Sequence, residues 1–116
     1  MQPDASLVVD AKGKLVLPGM IDMHVHFRDP GFTNREDFES GTSSAAAGGV
    51  TTVADMPNTV PSVVSVEAIR KKVEIANRKA LVDYAFIGGA GALDSETLLA
   101  VAEEGIVGYK SFMTAR

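Results

Sequence analysis

Two histidines and an arginine stand at alternate positions in one short stretch of this chain. The stretch is GMIDMHVHFRDPG, residues 19–31, and it holds both histidines of the 116-residue sequence, His24 and His26. If the segment is extended, successive side chains point to opposite faces, so the histidines share a face with Asp22 and Arg28. Their Cβ atoms are then roughly 6.5–7 Å apart, which lets both imidazoles reach one divalent metal ion. The spacing predicts a metal or ligand site on one face of a strand.

The remaining ligands of such a site are not evident in the sequence. The chain has no cysteine and no third histidine, so a metal ion would be bound by nitrogen and oxygen donors only. Zinc takes about four ligands, which leaves the site incomplete within these residues. The alternative is an exposed strand face on which the two histidines are merely tolerated.

Lys110 is the second unusual residue, because it stands among apolar residues in GYKSF. A lysine on an interior strand is costly to bury in its charged form and normally has a partner or a lowered pKa. Its ammonium either reaches the open end of the strand or pairs with Asp22 or Asp55. The sequence leaves these possibilities open.

Alternating apolar and amphipathic segments position these residues. The predicted strands are LVLPGMIDMHVHF, VTTVADMPN, LVDYAFIGGA and IVGYKSFM, and the predicted helices between them are REDFESGTSSAAAGG, SVEAIRKKVEIANRKA and DSETLLAVAEEG. The order βαβαβαβ is typical of a parallel α/β sheet with crossover helices. Functional residues of such folds gather at the carboxyl ends of the strands, which is where the notable residues fall. These are His24, His26, Arg28, Asn58 and Lys110.

The second helix has an apolar stripe, and the third has candidate end signals, Asp94 or Ser95 as its N-cap and Gly105 as a left-handed stop. In the second helix Val66, Ile69, Val73 and Ala76 recur at offsets of three and four, and we expect this stripe to lie against the sheet. The charged residues Glu67, Arg70, Lys71 and Glu74 lie off it. The small residues of the first helix, including Gly41, permit close packing of helix against strand.

Composition excludes several classes of protein. Hydrophobic residues make up 46% of the sequence, enough for the core of one globular domain. The net charge is −4 and the longest basic run is RKK, residues 70–72, so neither nucleic acid nor an anionic membrane is an expected partner. The start of the chain lacks the pattern of a signal peptide, and no apolar run approaches the ~18–20 residues of a membrane span. We expect a cytoplasmic protein.

Three segments together resemble a known family. PGMIDMHVHFRDPG, GTSSAAAGGVTTVADMPNT and GYKSFM are similar, in order and spacing, to the dihydroorotase group of cyclic amidohydrolases within the amidohydrolase superfamily. This group also includes hydantoinases and allantoinases. The similarity runs from about Val9 to Met113.

The resemblance implies a (β/α)8 TIM-type barrel with one or two divalent metal ions, usually zinc, at its carboxyl-terminal mouth. By this resemblance His24 and His26 bind the more buried metal ion. Lys110 is the lysine that many members carboxylate, so that its carbamate bridges two metal ions. A hydroxide between two cations is a nucleophile at neutral pH, and the metal ions polarise the amide carbonyl that it attacks.

The resemblance also assigns substrate-binding residues. In dihydroorotases the arginine two residues after the second metal histidine and the asparagine of the Met-Pro-Asn-Thr loop bind the substrate carboxylate, which implies Arg28 and Asn58 here. A guanidinium fork matches a carboxylate geometrically. The expected reaction is reversible hydrolysis of dihydroorotate to N-carbamoylaspartate in pyrimidine biosynthesis. The alternatives are an allantoinase or hydantoinase-type enzyme and a noncatalytic scaffold homologue.

The family needs two further metal histidines and a general acid/base aspartate from later strands, and we expect these to lie beyond Arg116. The chain is thus expected to be a fragment: residues 15–116 form the first half of the barrel, and residues 1–14 are the remnant of a small flanking β-sheet. By itself it is expected to be inactive. Its open strand edges predict self-association.

Overall fold

The computed structural model describes residues 4–91 and 93–113. Within them, four strands alternate with three helices. The strands are β1 Met20–Val25, β2 Val50–Asp55, β3 Asp83–Gly89 and β4 Gly108–Lys110, and the helices are α1 Phe38–Ala47, α2 Val66–Lys79 and α3 Ser95–Glu103. The strands form one sheet in the order β1-β2-β3-β4, and every neighbouring pair is parallel. The predicted βαβαβαβ order is confirmed.

Helix α1 begins at a capping box and packs closely on the end of β1. The Asp37 carboxylate accepts a hydrogen bond from the Ser40 backbone N–H at 2.9 Å, which satisfies one of the free amides of the first turn. Phe38 is fully buried in the core. A Cβ atom on Gly41 would lie 2.4 Å from the Phe27 ring, so only glycine permits this approach. The predicted close packing of the first helix is confirmed.

The cap makes part of the stability dependent on pH. Hydrogen bonds from the Ser40 backbone and hydroxyl lower the pKa of Asp37 from 3.8 to about 2, and Lys79 adds to this effect. Because the folded-state pKa is depressed, this stabilisation is present above about pH 4 and is lost as the pH falls toward 2. We expect Asp37→Asn, which keeps a capping oxygen but removes the charge that the Ser40 bonds and Lys79 stabilise, to lower the free energy of unfolding by about 1 kcal/mol at pH 7, because solvent screens much of this stabilisation. Urea unfolding at several pH values should show that the difference in free energy of unfolding from wild type vanishes near pH 2. A difference that does not change with pH would contradict the assignment of this stabilisation to the Asp37 charge.

Helix α2 lays the predicted stripe against the sheet. Ile69 and Ala76 are buried, Val66 and Val73 are half-buried, and the four charged residues expected off the stripe are exposed. One charged residue nevertheless lies on the buried face, and it is Lys72. No helix in the described part of the chain is long and apolar enough to cross a membrane.

The core lies between the helices and the sheet, and β1 stands at its margin. The apolar residues that alternate with the histidines are only partly buried: Phe27 is buried, Val25 is half-buried and Met23 is 53% exposed. The reason is topological, since β1 is the first strand in the sheet order and pairs with β2 alone among the described strands. The buried core cluster consists of Phe27, Phe38, Val53, Val63, Ile69, Ala76 and Phe86.

Residues 4–19 contain a turn but no assigned strand. The turn lies at Lys12 and Gly13, with the Lys14 N–H donating to the Ala11 carbonyl at 2.9 Å. No strand of the expected flanking sheet is assigned among the described residues 4–14, and the first barrel strand begins at Met20 rather than at Leu15. A strand needs a backbone partner, and within the described residues this segment has none. The flanking sheet of residues 1–14 stays a prediction.

Candidate metal centre and substrate groove

The two histidines meet at the carboxyl end of β1. The Nε2 atoms of His24 and His26 are 3.2 Å apart, and both side chains are exposed. A tetrahedral zinc ion with Zn–N bonds of 2.0–2.1 Å places two nitrogen ligands about 3.3–3.4 Å from each other. The observed separation is therefore close to what one zinc ion requires of two of its nitrogen ligands.

Asn58 fixes the orientation of His26. The His26 Nδ1–H donates to the Asn58 Oδ1 at 2.7 Å, which leaves Nε2 of the same ring with its lone pair. A metal-binding histidine typically donates its other ring N–H in this way. The sequence predicts both residues for the site but not this contact. The signal available was that both follow the carboxyl ends of neighbouring parallel strands.

Asp22 orients backbone rather than contacting the histidine rings. Its Oδ1 accepts a hydrogen bond from the His24 backbone N–H at 3.0 Å. This contact gives Asp22 a structural role. It also accounts for Asp22 without a pairing to Lys110.

Asp55 is paired with a lysine that sequence analysis did not select. Its Oδ2 lies 2.7 Å from Lys72 Nζ, and the two side chains are 1% and 0% exposed. The suggested pairing of Asp55 with Lys110 is therefore wrong. Burial lowers the pKa of Lys72, and the Asp55 charge opposes that shift. The overlooked signal was position, since Lys72 lies on the same stripe as Ile69 and Ala76.

Lys110 is the last residue of β4 and is half-buried. Its Nζ lies 5.9 Å from the centroid of the Phe112 ring. In the sheet order, β4 and β1 are separated by two strands, a path of about 14 Å at normal strand spacing. Within residues 4–91 and 93–113, no group of three or more histidines and carboxylates is placed to hold a metal ion. The metal-bridging role of Lys110 stays a prediction.

Arg28 and Asn58 line one groove beside the histidines. The groove has a volume of about 460 Å³. Arg28 is half-buried and has a φ of +61°, a left-handed conformation that is uncommon for a residue with a side chain. The groove is lined by Arg28, Phe32, Asn58, Thr59, Val60, Ser62, Val64, Gly89, Gly91 and Phe112. The two predicted substrate-binding residues thus share one cavity.

An ion-pair cluster holds the loop that carries Arg28. Lys79, at the end of α2, donates to Asp29 Oδ2 at 2.8 Å and to Asp37 Oδ2 at 3.2 Å. These contacts raise the pKa of Lys79, with the bond to Asp29 the largest cause. Asp29 is buried and directly follows Arg28. The cluster therefore fixes the start of the loop against α2.

Comparison with known proteins identifies a matching family and two similar relatives. Residues 15–115 match the model of the amidohydrolase family. An allantoinase from Arabidopsis thaliana is 46% identical over 110 residues, which cover 91% of this chain and 22% of the relative. A dihydroorotase from Methanothermobacter thermautotrophicus is 51% identical over 86 residues, which cover 74% of this chain and 20% of the relative.

The fold has a close counterpart among solved structures. An L-hydantoinase (dihydropyrimidinase) from Arthrobacter aurescens superposes with a TM-score of 0.92 at 38% identity, covering 98% of this chain and 26% of that protein. The expected architecture, the first half of a TIM-type barrel, is confirmed. The chain spans about a fifth to a quarter of the length of these relatives. On the match over residues 15–115 and the shared fold, the chain belongs to the amidohydrolase family.

Proposed function

We propose that this chain supplies the first metal-binding and substrate-binding residues of a zinc-dependent cyclic amidohydrolase that acts on dihydroorotate. The observation that carries the proposal is the placement of His24 and His26, with Nε2 atoms 3.2 Å apart, beside the groove that Arg28 and Asn58 line. A scaffold protein has no physical need for such a donor pair. This geometry weighs against the noncatalytic alternative.

His24 and His26 would hold the metal ion through their Nε2 atoms, and a carboxylated Lys110 would add an oxygen ligand. When bound, zinc supplies a nucleophilic hydroxide at neutral pH and polarises the amide carbonyl of the substrate. The chain itself contributes orientation. Because Asn58 accepts the Nδ1 proton of His26, that ring presents an unprotonated Nε2.

Arg28 is the residue that favours dihydroorotate within the family. Its guanidinium can pair with a carboxylate through two parallel hydrogen bonds, and dihydroorotate carries a carboxylate whereas a simple hydantoin does not. Asn58 uses its Oδ1 for His26, so its Nδ2 amide donors remain for the substrate. Relatives named allantoinase and hydantoinase keep the alternative of another cyclic amide substrate. The expected partner is in either case a small cyclic amide, and we propose a cytoplasmic location.

Zinc titration of the 116-residue chain tests the metal site. We expect weak binding of one zinc ion and no turnover of dihydroorotate, because only two histidine ligands are present in this sequence. Calorimetry measures zinc binding, and an assay of dihydroorotate hydrolysis measures turnover. His26→Ala should abolish binding, whereas Arg70→Met, on the exposed surface of α2, should leave it unchanged. Binding that survives His26→Ala would show that zinc is held elsewhere.

The exposed strand β1 predicts association of two copies. Met20, Ile21 and Met23 are 57%, 63% and 53% exposed, which is a large apolar area for the surface of a monomer. We propose that residues 1–116 self-associate through their open strand edges and uncovered apolar faces. Sedimentation equilibrium with circular dichroism tests this prediction. A well-folded monomer at micromolar concentration would contradict it, and an unfolded or aggregated chain is the competing outcome.

A further inference from the structure

The buried pair of Asp55 and Lys72 has no part in the chemistry proposed above. Both of its side chains are almost completely buried. Lys72 Nζ also lies 5.2 Å from the centroid of the Phe86 ring, inside the core. A buried ion pair is costly to desolvate, and apolar residues of similar volume often replace such a pair without loss of stability. Stability alone therefore does not explain these two residues.

The Asp55 carboxylate accepts a backbone hydrogen bond at the point where the pairing of β1 with β2 ends. In a continued sheet, a backbone carbonyl would accept this bond. The regular pairing of β1 with β2 shifts between Asp22 and Val25, and the final pair is Val25 with Asp55. Beyond that pair, the Phe27 backbone N–H donates to the Asp55 side-chain Oδ1 at 3.0 Å. The carboxylate thereby extends the hydrogen bonding of β1 by one more donor. Phe27 is the residue between His26 and Arg28, so its backbone position sets the path of both.

Lys72 ties the same carboxylate to the loop after β2. Its Nζ contacts Asp55 Oδ2 and donates to the Met56 carbonyl at 2.9 Å. Met56 stands two residues before Asn58, and Lys72 is itself anchored in the middle of α2. The Asp55–Lys72 pair thus holds two backbone segments, one next to His26 through Phe27 and one before Asn58 through Met56.

We propose that Asp55 and Lys72 are positioning residues that hold His26 and Asn58 in contact and so set the orientation of the His26 ring. An apolar pair would fill the same space, but it can neither accept the Phe27 N–H nor donate to the Met56 carbonyl. The consequence for zinc affinity rests on the proposed function. The effect on the His26 ring does not, because it is measured on the contact with Asn58 and not through metal binding.

The experiment replaces the pair by apolar residues of similar shape, D55L/K72M, and records the ring nitrogen spectrum of His26 by ¹⁵N NMR. At about pH 8, the wild type should show a proton on Nδ1, the nitrogen that contacts Asn58. The D55L/K72M variant should lose this preference and bind zinc at least about tenfold more weakly, as is typical when support behind a ligand is removed. The backbone amide spectrum reports whether the variant is folded.

A second variant and a control make the result decisive. D55N/K72M keeps an oxygen for the Phe27 N–H but loses the bond to Met56, so its His26 signal should fall between wild type and D55L/K72M. If D55L/K72M does not fold, this intermediate variant decides alone. The control R70M/E104Q removes the ion pair between Arg70 of α2 and Glu104, the residue after α3, and should leave His26 unchanged. The proposal would be overturned if D55L/K72M is folded and keeps the wild-type His26 tautomer, or if D55N/K72M does so where D55L/K72M does not fold. A wild type that binds no zinc would count against the metal site only, since the tautomer comparison would still test positioning.

Discussion

Replacement of Lys72 by methionine is expected to lower the free energy of unfolding by about 3–5 kcal/mol. The substitution leaves the Asp55 carboxylate, which is 1% exposed, buried without its cation. Removing one member of a buried pair costs far more than removing both, because the remaining charge keeps its desolvation penalty. Urea unfolding followed by circular dichroism at pH 7 measures the loss.

Two variants serve as controls for this result. Arg70→Met breaks a pair with Glu104 in which the arginine side chain is 68% exposed, and it should cost no more than about 1 kcal/mol. D55N/K72M removes both buried charges and should recover most of the stability lost in Lys72→Met. Equal losses in Lys72→Met and Arg70→Met would show that the buried pair carries no special cost.

Arg28→Met is expected to reduce kcat/KM for dihydroorotate by roughly 30- to 1,000-fold in a protein that includes the remaining barrel. This corresponds to about 2–4 kcal/mol, the usual cost of losing a charge-assisted pair with a carboxylate. Metal content should be nearly unchanged, because the substitution leaves His24 and His26 in place. Steady-state kinetics with metal analysis of the purified variant check both statements.

Comparing dihydroorotate with an uncharged cyclic amide as substrate distinguishes the dihydroorotase proposal from the hydantoinase or allantoinase alternative. Arg70→Met, remote from the groove, should retain wild-type kinetics. If Arg28→Met keeps its activity on dihydroorotate and an uncharged cyclic amide is the better substrate of the wild type, then the hydantoinase or allantoinase alternative is favoured. Loss of metal from Arg28→Met would show instead that Arg28 supports the metal centre.

The order of helices and strands was predictable from the sequence because it depends on local patterns. The stripe of Ile69 and Ala76 follows from helical periodicity. Residue type predicts an N-cap at Asp94 or Ser95, of which Asp94 forms it, and the positive φ of +85° at Gly105. The alternation that places His24 and His26 on one face is likewise a property of any extended segment. In each case the interacting residues lie within a few positions of each other in the chain.

The contacts that complete the site were decided by the tertiary structure. His26 and Asn58 are 32 positions apart, and they meet only because β1 and β2 pair in one particular register. The same register brings the Asp55 carboxylate to the Phe27 N–H, and the packing of α2 brings Lys72 to that carboxylate. A sequence pattern indicates which face of an element is apolar. It does not fix which residue of the next element lies opposite, because strand register and helix docking depend on packing across the whole sheet.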